Sequence, residues 1–363
     1  MDKDQPIIIV GGSLTGPVMS LLLMNAGFSN VHLYEAIPPN ISPSGGVIGL
    51  DHYALDVLES VGIIQNEIIP FTSERVIAIK LRSGTENQTF YPGRNTTWSI
   101  LHTALMRRMP DNHYHPGKKV TSVNTGYIGF SDGSTTESAF TIFADGRRST
   151  GRKLLDPTRK LHYAGYVAHR GILDRCPPDI RDFLRFEGQD TAFNVFPIIQ
   201  DNGAIGMDWT FYLNTSEPDF RQHFGASPVV KTFMHQIPSD VTTVVDCAAT
   251  RTLTEQTAHL VHSTATRMAV PIVDIDQPTT MIFNNGSSVL IGDALAPVRP
   301  HTARGANNGI IAAQSLMVAL RHHVNHGANL LSALKGWESR LLPTIHQDVA
   351  NGPIMGAKLG LGG

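Results

Sequence analysis

The chain has 363 residues, 41% apolar and 17% charged, which suffices for about two domains with buried cores and excludes an intrinsically disordered segment. Its 29 basic residues nearly balance its 31 acidic ones, so no positive field is available to hold nucleic acid or an anionic membrane surface. The two cysteines, Cys176 and Cys247, lie far apart and outside any C-x-x-C spacing, and no cleavage pattern follows the N-terminus, so a reducing, cytoplasmic setting is expected.

In chain order, Ile7–Val10 is a short β-branched run that stops at Gly11-Gly12, the pattern of a buried parallel strand. Residues 14–26 are apolar on most faces and end before Gly27, which predicts a buried helix with a glycine C-cap. Val31–Glu35 supplies a second strand and completes a segment of βαβ length. A helix is expected over 53–61, antiparallel strands over 75–91 and another helix over 97–109, stopping before Pro110. Strands separated by hairpin signals at 124–126 and 131–133 fill residues 119–143.

Between 162 and 270 the pattern is mainly strand, at 164–173, 192–199 and 205–213, with one helical stretch at 229–236. A buried strand at 289–291, a Gly-Asp turn and a long helix over 305–323 follow, and the tail 356–363 reads as loose. The fold class is α/β. A Rossmann-like domain is assembled from 1–74, 93–160 and 273–363, the last part with C-terminal helices, and a mainly antiparallel β domain is inserted as 75–92 and 161–272.

The segment Gly11-Gly12-Ser13-Leu14-Thr15-Gly16 is a variant of G-x-G-x-x-G with serine at the second glycine. It follows an apolar strand, opens a helix and precedes Glu35 at the end of the next strand, the context of a dinucleotide fold. Gly11 permits a tight turn, Gly16 lets the helix approach the strand, and the helix N-terminus offers N–H groups to a pyrophosphate. Glu35, followed by Ala36, can accept hydrogen bonds from a ribose 2'-hydroxyl and would repel a 2'-phosphate.

Two further segments specify the dinucleotide. Ile142-Phe-Ala-Asp-Gly-Arg-Arg-Ser-Thr-Gly-Arg152 resembles the DG motif of single-component flavin monooxygenases. Val289-Leu-Ile-Gly-Asp-Ala-Leu-Ala-Pro297, continuing to Pro300 and Gly305-Ala306-Asn307, resembles their GD motif. Gly11-Gly-Ser13, Thr97-Trp98, Tyr114-His-Pro-Gly117, the run from His162 to Gly171 and Arg299-Pro-His301 resemble the 2,6-dihydroxypyridine hydroxylase-like branch of these class A FAD-dependent aromatic monooxygenases.

The resemblance implies the aromatic hydroxylase fold, with an FAD-binding domain and an inserted substrate domain. FAD would be bound by the turn at 11–16, Glu35, Ala36, Trp98, Val120, Asp145, Gly146, Gly292, Asp293, Pro300, Gly305, Ala306 and Asn307. NADPH or NADH would serve as a transient electron donor. With O2, a flavin hydroperoxide would then hydroxylate or epoxidise an electron-rich aromatic, heteroaromatic or alkene small molecule. The expected partners are that molecule and O2, with no metal, nucleic acid or membrane, in a monomer or homodimer.

Several residues depart from the family pattern. Phe143 replaces a common glycine, Ala296 a histidine, Ala312 an aspartate and Trp98 an arginine, for which Arg94 is a candidate substitute. On the substrate side, Ile48 lies on the segment expected beside the flavin ring. The inward set on the strand over 205–213 is either Met207, Trp209 and Phe211 or the opposite alternation beginning at Asp208. Tyr166, His169 and His301 are the candidates for a base that deprotonates a ring hydroxyl. The departures leave open a flavin-fold cyclase or isomerase, or a ligand-binding protein that has lost flavin.

Overall fold

The computed structural model describes residues 2–39, 45–69, 75–90, 95–177, 180–199 and 204–362; Arg94 lies outside them. The chain divides into two units, one of Met1–Ile68, Thr97–Lys160 and Ile275–Asn351, the other of Ile69–Thr96, Leu161–Asp274 and Gly352–Gly363. Among the described residues no helix is long and apolar enough to cross a membrane.

The first unit is organised by a six-stranded sheet in the order Ile282–Phe283, Ser288–Leu290, Phe140–Phe143, Ile7–Val10, Val31–Glu35, Tyr114–Pro116. All neighbours pair in parallel except Ile282–Phe283, which is antiparallel. Ile7, Ile8 and Ile9 have no exposed surface, which accounts for a β-branched run without polar alternation in a strand buried on both faces. The helix Thr15–Asn25 follows the central strand and packs against the helix Gly305–His326. A separate antiparallel sheet is formed by Thr135–Ser138, Gly126–Phe130 and Val120–Asn124.

The second unit is built on a seven-stranded sheet in the order Arg267–Ile275, Leu161–Leu173, Ile205–Asn214, Thr191–Ile199, Phe183–Glu187, Arg75–Lys80, Glu86–Phe90. One face carries Met207, Trp209, Phe211, Phe193 and Val195. These side chains pack against Val241, Val245 and Ala248 of the helix Ser239–Thr252 and against Ala258 and Val261 of the helix Glu255–His262. Gly171 lies opposite Trp209, where a β-carbon would come within 2.6 Å of the indole ring, so a glycine is needed to seat that ring. The opposite face carries Ala164, Tyr166, Ala168, Ala192, Tyr212 and Ile272, covered by Leu359 and Leu361.

Two expectations are corrected. Residues 229–236 are not helical: Pro228–Val230 makes one 3-10 turn and Met234 bridges to Ala269. The helices of this region begin after Pro238 and at Thr254, whose side chain accepts from the Thr257 amide as an N-cap. The tail is not loose, because Leu359 and Leu361 are 5% and 1% exposed in the core of the second unit. Residues 352–363 therefore belong with the β unit rather than with the dinucleotide domain.

Candidate cofactor site and active site

In the first unit the strands Ile7–Val10, Phe140–Phe143 and Ser288–Leu290 run in parallel, so the turns that leave their carboxyl ends stand side by side. Those turns are the glycine turn at residues 11–16, the DG turn at Asp145-Gly146 and the GD turn at Gly292-Asp293. Their packing explains the glycines. A β-carbon on Gly11, at φ +112°, would lie 2.4 Å from the Ala144 carbonyl oxygen, so the first turn is pressed onto the DG turn. One on Gly16 would lie 1.9 Å from the Gly11 oxygen, and one on Gly309 would lie 2.1 Å from Thr15 Oγ1. Gly292, at φ +58°, would place its β-carbon 3.1 Å from the same Thr15 hydroxyl, so the helix start, the GD turn and the helix Gly305–His326 converge there.

Both helix N-termini at this convergence lack side-chain caps: Leu14 and Arg304 stand at the cap positions with no capping hydrogen bond, and neither first turn carries an acid. Their N–H groups suit an anion, the chemistry a pyrophosphate demands. Gly305 and Ala306 open the second helix half-buried. Glu35 accepts from the Gly12 amide at 2.6 Å and the Ile37 amide at 2.7 Å, which leaves each oxygen a lone pair for a hydroxyl donor. Ala36 beside it is exposed. Val120 is buried at the start of its strand.

The two motif aspartates differ. Asp145 accepts hydrogen bonds from Ser149 Oγ, the Thr150 amide at 2.6 Å and the Gly151 amide at 3.1 Å, so its carboxylate shapes its own loop before Gly146. Desolvation nevertheless pushes its pKa up. Asp293 is likewise pushed up by desolvation, with the Arg147 and Arg152 guanidiniums opposing. Arg152 donates to the Asp293 and Ala294 carbonyls at 3.1 and 2.7 Å, joining the DG segment to the GD turn. The bulk of Phe143 is accommodated by Gly151, where a β-carbon would fall 2.2 Å from the phenyl ring.

Trp98, at the start of the helix Trp98–Met106, donates from its indole Nε1 to Ser13 Oγ at 3.0 Å. Its ring stacks on His102 with centroids 4.4 Å apart, and His102 Nε2 lies 3.0 Å from the Gly12 carbonyl. Burial lowers the His102 pKa. Sequence reading named Ser13 and Trp98 but missed His102, although its i,i+4 spacing from Trp98 places both on one helix face. Asn307 donates to the Gly49 and Ala303 carbonyls and accepts from the Asp51 amide, which fixes the segment after Ile48, itself half-buried on Val47–Gly49. Pro300 is exposed and His301 buried on the 3-10 turn Pro300–Thr302.

The two candidate bases in the second unit stand apart. Tyr166 and His169 are three positions apart on one strand and therefore face opposite sides of the sheet. Tyr166 packs with Tyr212 on the face covered by Leu359, whereas His169 pairs in register with Phe211 on the helical side. Burial, with a contribution from Arg267, pushes His169 down to about 4, so the ring is neutral and weakly basic. It lines a cavity of about 620 Å³ together with Val241, Cys247 and Ala248.

Met207, Trp209 and Phe211 are corrected from substrate-lining to core residues: each is 0% exposed, filled against the two helices. Asp208 and Tyr212 belong to the opposite alternation, where Arg170 Nη2 meets Asp208 Oδ2 at 2.6 Å.

No family model matches the chain. The 2,6-dihydroxypyridine 3-monooxygenase of Paenarthrobacter nicotinovorans is 25% identical over 98% of this chain and 92% of its own length. The structure of 2,6-dihydroxypyridine-3-hydroxylase from Arthrobacter nicotinovorans superposes with a TM-score of 0.88 at 24% identity, covering 100% of this chain and 94% of that one. Klebsiella pneumoniae HpxO, solved with FAD and uric acid, gives a TM-score of 0.76 at 18% identity over 96% and 87% of the two chains. The fold is that of the FAD-dependent aromatic hydroxylases, and with the three motif turns it defines the class: a single-component, FAD-dependent aromatic monooxygenase. Within that class the chain is similar in sequence and in fold to the 2,6-dihydroxypyridine hydroxylases.

Proposed function

We propose that the chain holds FAD across its three converging turns and uses NADH or NADPH with O2 to hydroxylate a small N-heterocycle that already carries a ring hydroxyl, in a cytoplasmic setting. The observation that carries this reading is the meeting of the glycine, DG and GD turns at the carboxyl ends of adjacent parallel strands, beneath two uncapped helix N-termini. The relatives' names supply the substrate class, since one acts on a dihydroxypyridine and another structure holds uric acid.

When bound, FAD supplies hydride acceptance and the activation of O2 for oxygen transfer. The turn of Gly11, Gly12, Ser13, Leu14, Thr15 and Gly16 would receive the pyrophosphate at the amides that open the helix Thr15–Asn25, the Gly12 amide being given to Glu35, and Glu35 with Ala36 would receive the adenosine ribose. Val120 would lie at the adenine. Trp98, Asp145, Gly146, Gly292, Asp293, Pro300, Gly305, Ala306 and Asn307 shape the flavin end. Of the three candidate bases, His301 is favoured, because it stands beside the GD turn while His169 is too weak a base and faces the helices. Its part is to take the proton of the ring hydroxyl, which enriches the ring carbon that is attacked.

The test is the visible spectrum of the purified protein and of the cofactor released on denaturation, followed by NAD(P)H and O2 consumption with hydroxypyridines. A two-band flavin spectrum and substrate-stimulated consumption are expected. Protein that stays colourless when FAD is added overturns the reading.

A further inference from the structure

The serine in the glycine turn is tied into a chain of contacts. Gly12 is engaged at both its backbone groups, its amide donating to Glu35 Oε2 at 2.6 Å and its carbonyl facing His102 Nε2 at 3.0 Å. A carbonyl only accepts, so His102 carries its proton on Nε2. The imidazole plane supports the Trp98 indole at 4.4 Å and 16°. The indole is also seated against Gly45, where a β-carbon would come within 2.4 Å of Trp98 Cγ. The indole N–H is thereby aimed at Ser13 Oγ, 3.0 Å away.

An indole N–H donates and cannot accept, whereas a serine hydroxyl can do both. With its oxygen accepting from Trp98, exposed Ser13 keeps its own proton to donate elsewhere. Ser13 immediately precedes the uncapped N-terminus of the helix Thr15–Asn25. An anion there would be an acceptor only, and a hydrogen bond from a hydroxyl to it would be charge-assisted.

We propose that Trp98 is a positioning residue for cofactor binding: by occupying the acceptor side of Ser13 it turns the serine hydroxyl into a committed donor to the FAD pyrophosphate. Trp98 and Ser13 therefore act as one unit, with His102 as the platform that holds the indole in plane. This rests on the FAD reading above.

The test is FAD titration of the full-length protein, read as the dissociation constant by calorimetry and by flavin fluorescence. Trp98→Phe keeps the ring, the stack on His102 and the seat at Gly45 but removes the N–H. It is expected to weaken FAD binding about tenfold, and Ser13→Ala by a similar factor. The double variant is expected to bind no more weakly than either single one, because each substitution already breaks the same unit.

Binding by Trp98→Phe within twofold of the wild type overturns the proposal, as packing alone would then explain the indole. Additive losses in the double variant also overturn it. Thermal unfolding of the FAD-free variants is measured alongside, and Ser13→Ala carries the test if Trp98→Phe does not fold. Wild-type protein that takes up no FAD ends the cofactor reading and this proposal together, whereas wild-type uptake with unchanged variants ends this proposal alone.

Discussion

The glycine turn of the first unit and the seven-stranded sheet of the second are constrained in opposite ways. At the turn, backbone meets backbone: a β-carbon on Gly16 would sit 1.9 Å from the Gly11 oxygen, and no side-chain rearrangement relieves that contact. In the sheet the constraints come from other elements, with helices pressing on Trp209 from one side and the Arg170–Asp208 pair lying on the other. The turn's specificity lies in what cannot be added, and the sheet's in what cannot be removed.

The hardest break is at the turn. Gly16→Ala is expected to abolish FAD loading, measured as loss of flavin absorbance in the purified protein, because the helix must move off the strand to admit the methyl group. A loaded Gly16→Ala protein would show that the turn yields more than its geometry suggests.

In the sheet, Asp208→Ala leaves the Arg170 guanidinium buried without its partner and is expected to cost about 3–5 kcal/mol in denaturant unfolding. Arg170 Nε and Asp208 Oδ1 have no hydrogen-bond partner among the described residues, so the pair itself is poorly satisfied. Replacing both by Met and Leu is therefore expected to be neutral or stabilising. Equal losses in the single and double variants would refute that account.

The pH dependence sharpens the same contrast on the helical face. His169 is held neutral at about 4 in the folded state, below its unfolded value near 6.5, so the unfolded chain binds the proton first as pH falls. The contribution to stability is complete above about pH 6.5 and is lost toward pH 4, amounting to about 3 kcal/mol. In His169→Gln the slope of unfolding free energy over this window is expected to shrink, and an unchanged slope would assign the acid sensitivity to other groups. At the small end, Glu217→Ala removes an exposed i,i+4 pair with Arg221 and should shift stability by no more than about 0.5 kcal/mol.

Legibility followed the same division. The turn, the helix after it and the parallel strands were readable because a βαβ crossover is a local object with a backbone requirement at each glycine. The alternation on Ile205–Asn214 left two sets open, and only the register opposite Phe193 and the helix over Ser239–Thr252 decided that Met207, Trp209 and Phe211 are core. The helical stretch expected at 229–236 failed because apolar spacing over eight residues does not reveal the proline and threonine starts further on. His102 escaped notice because its partner, the Gly12 carbonyl, lies 90 positions away in sequence.

By itself the sequence determined that this is an α/β dinucleotide-binding chain with three motif turns in order, since those turns need particular residues at particular backbone angles. The tertiary structure decided which strand face is core, that Leu359 and Leu361 are buried, that Tyr166 and His169 point to opposite sides and that Ser13 is joined to Trp98. A backbone angle is a property of one residue, whereas a face, a burial or a hydrogen-bond partner exists only once distant segments have packed together.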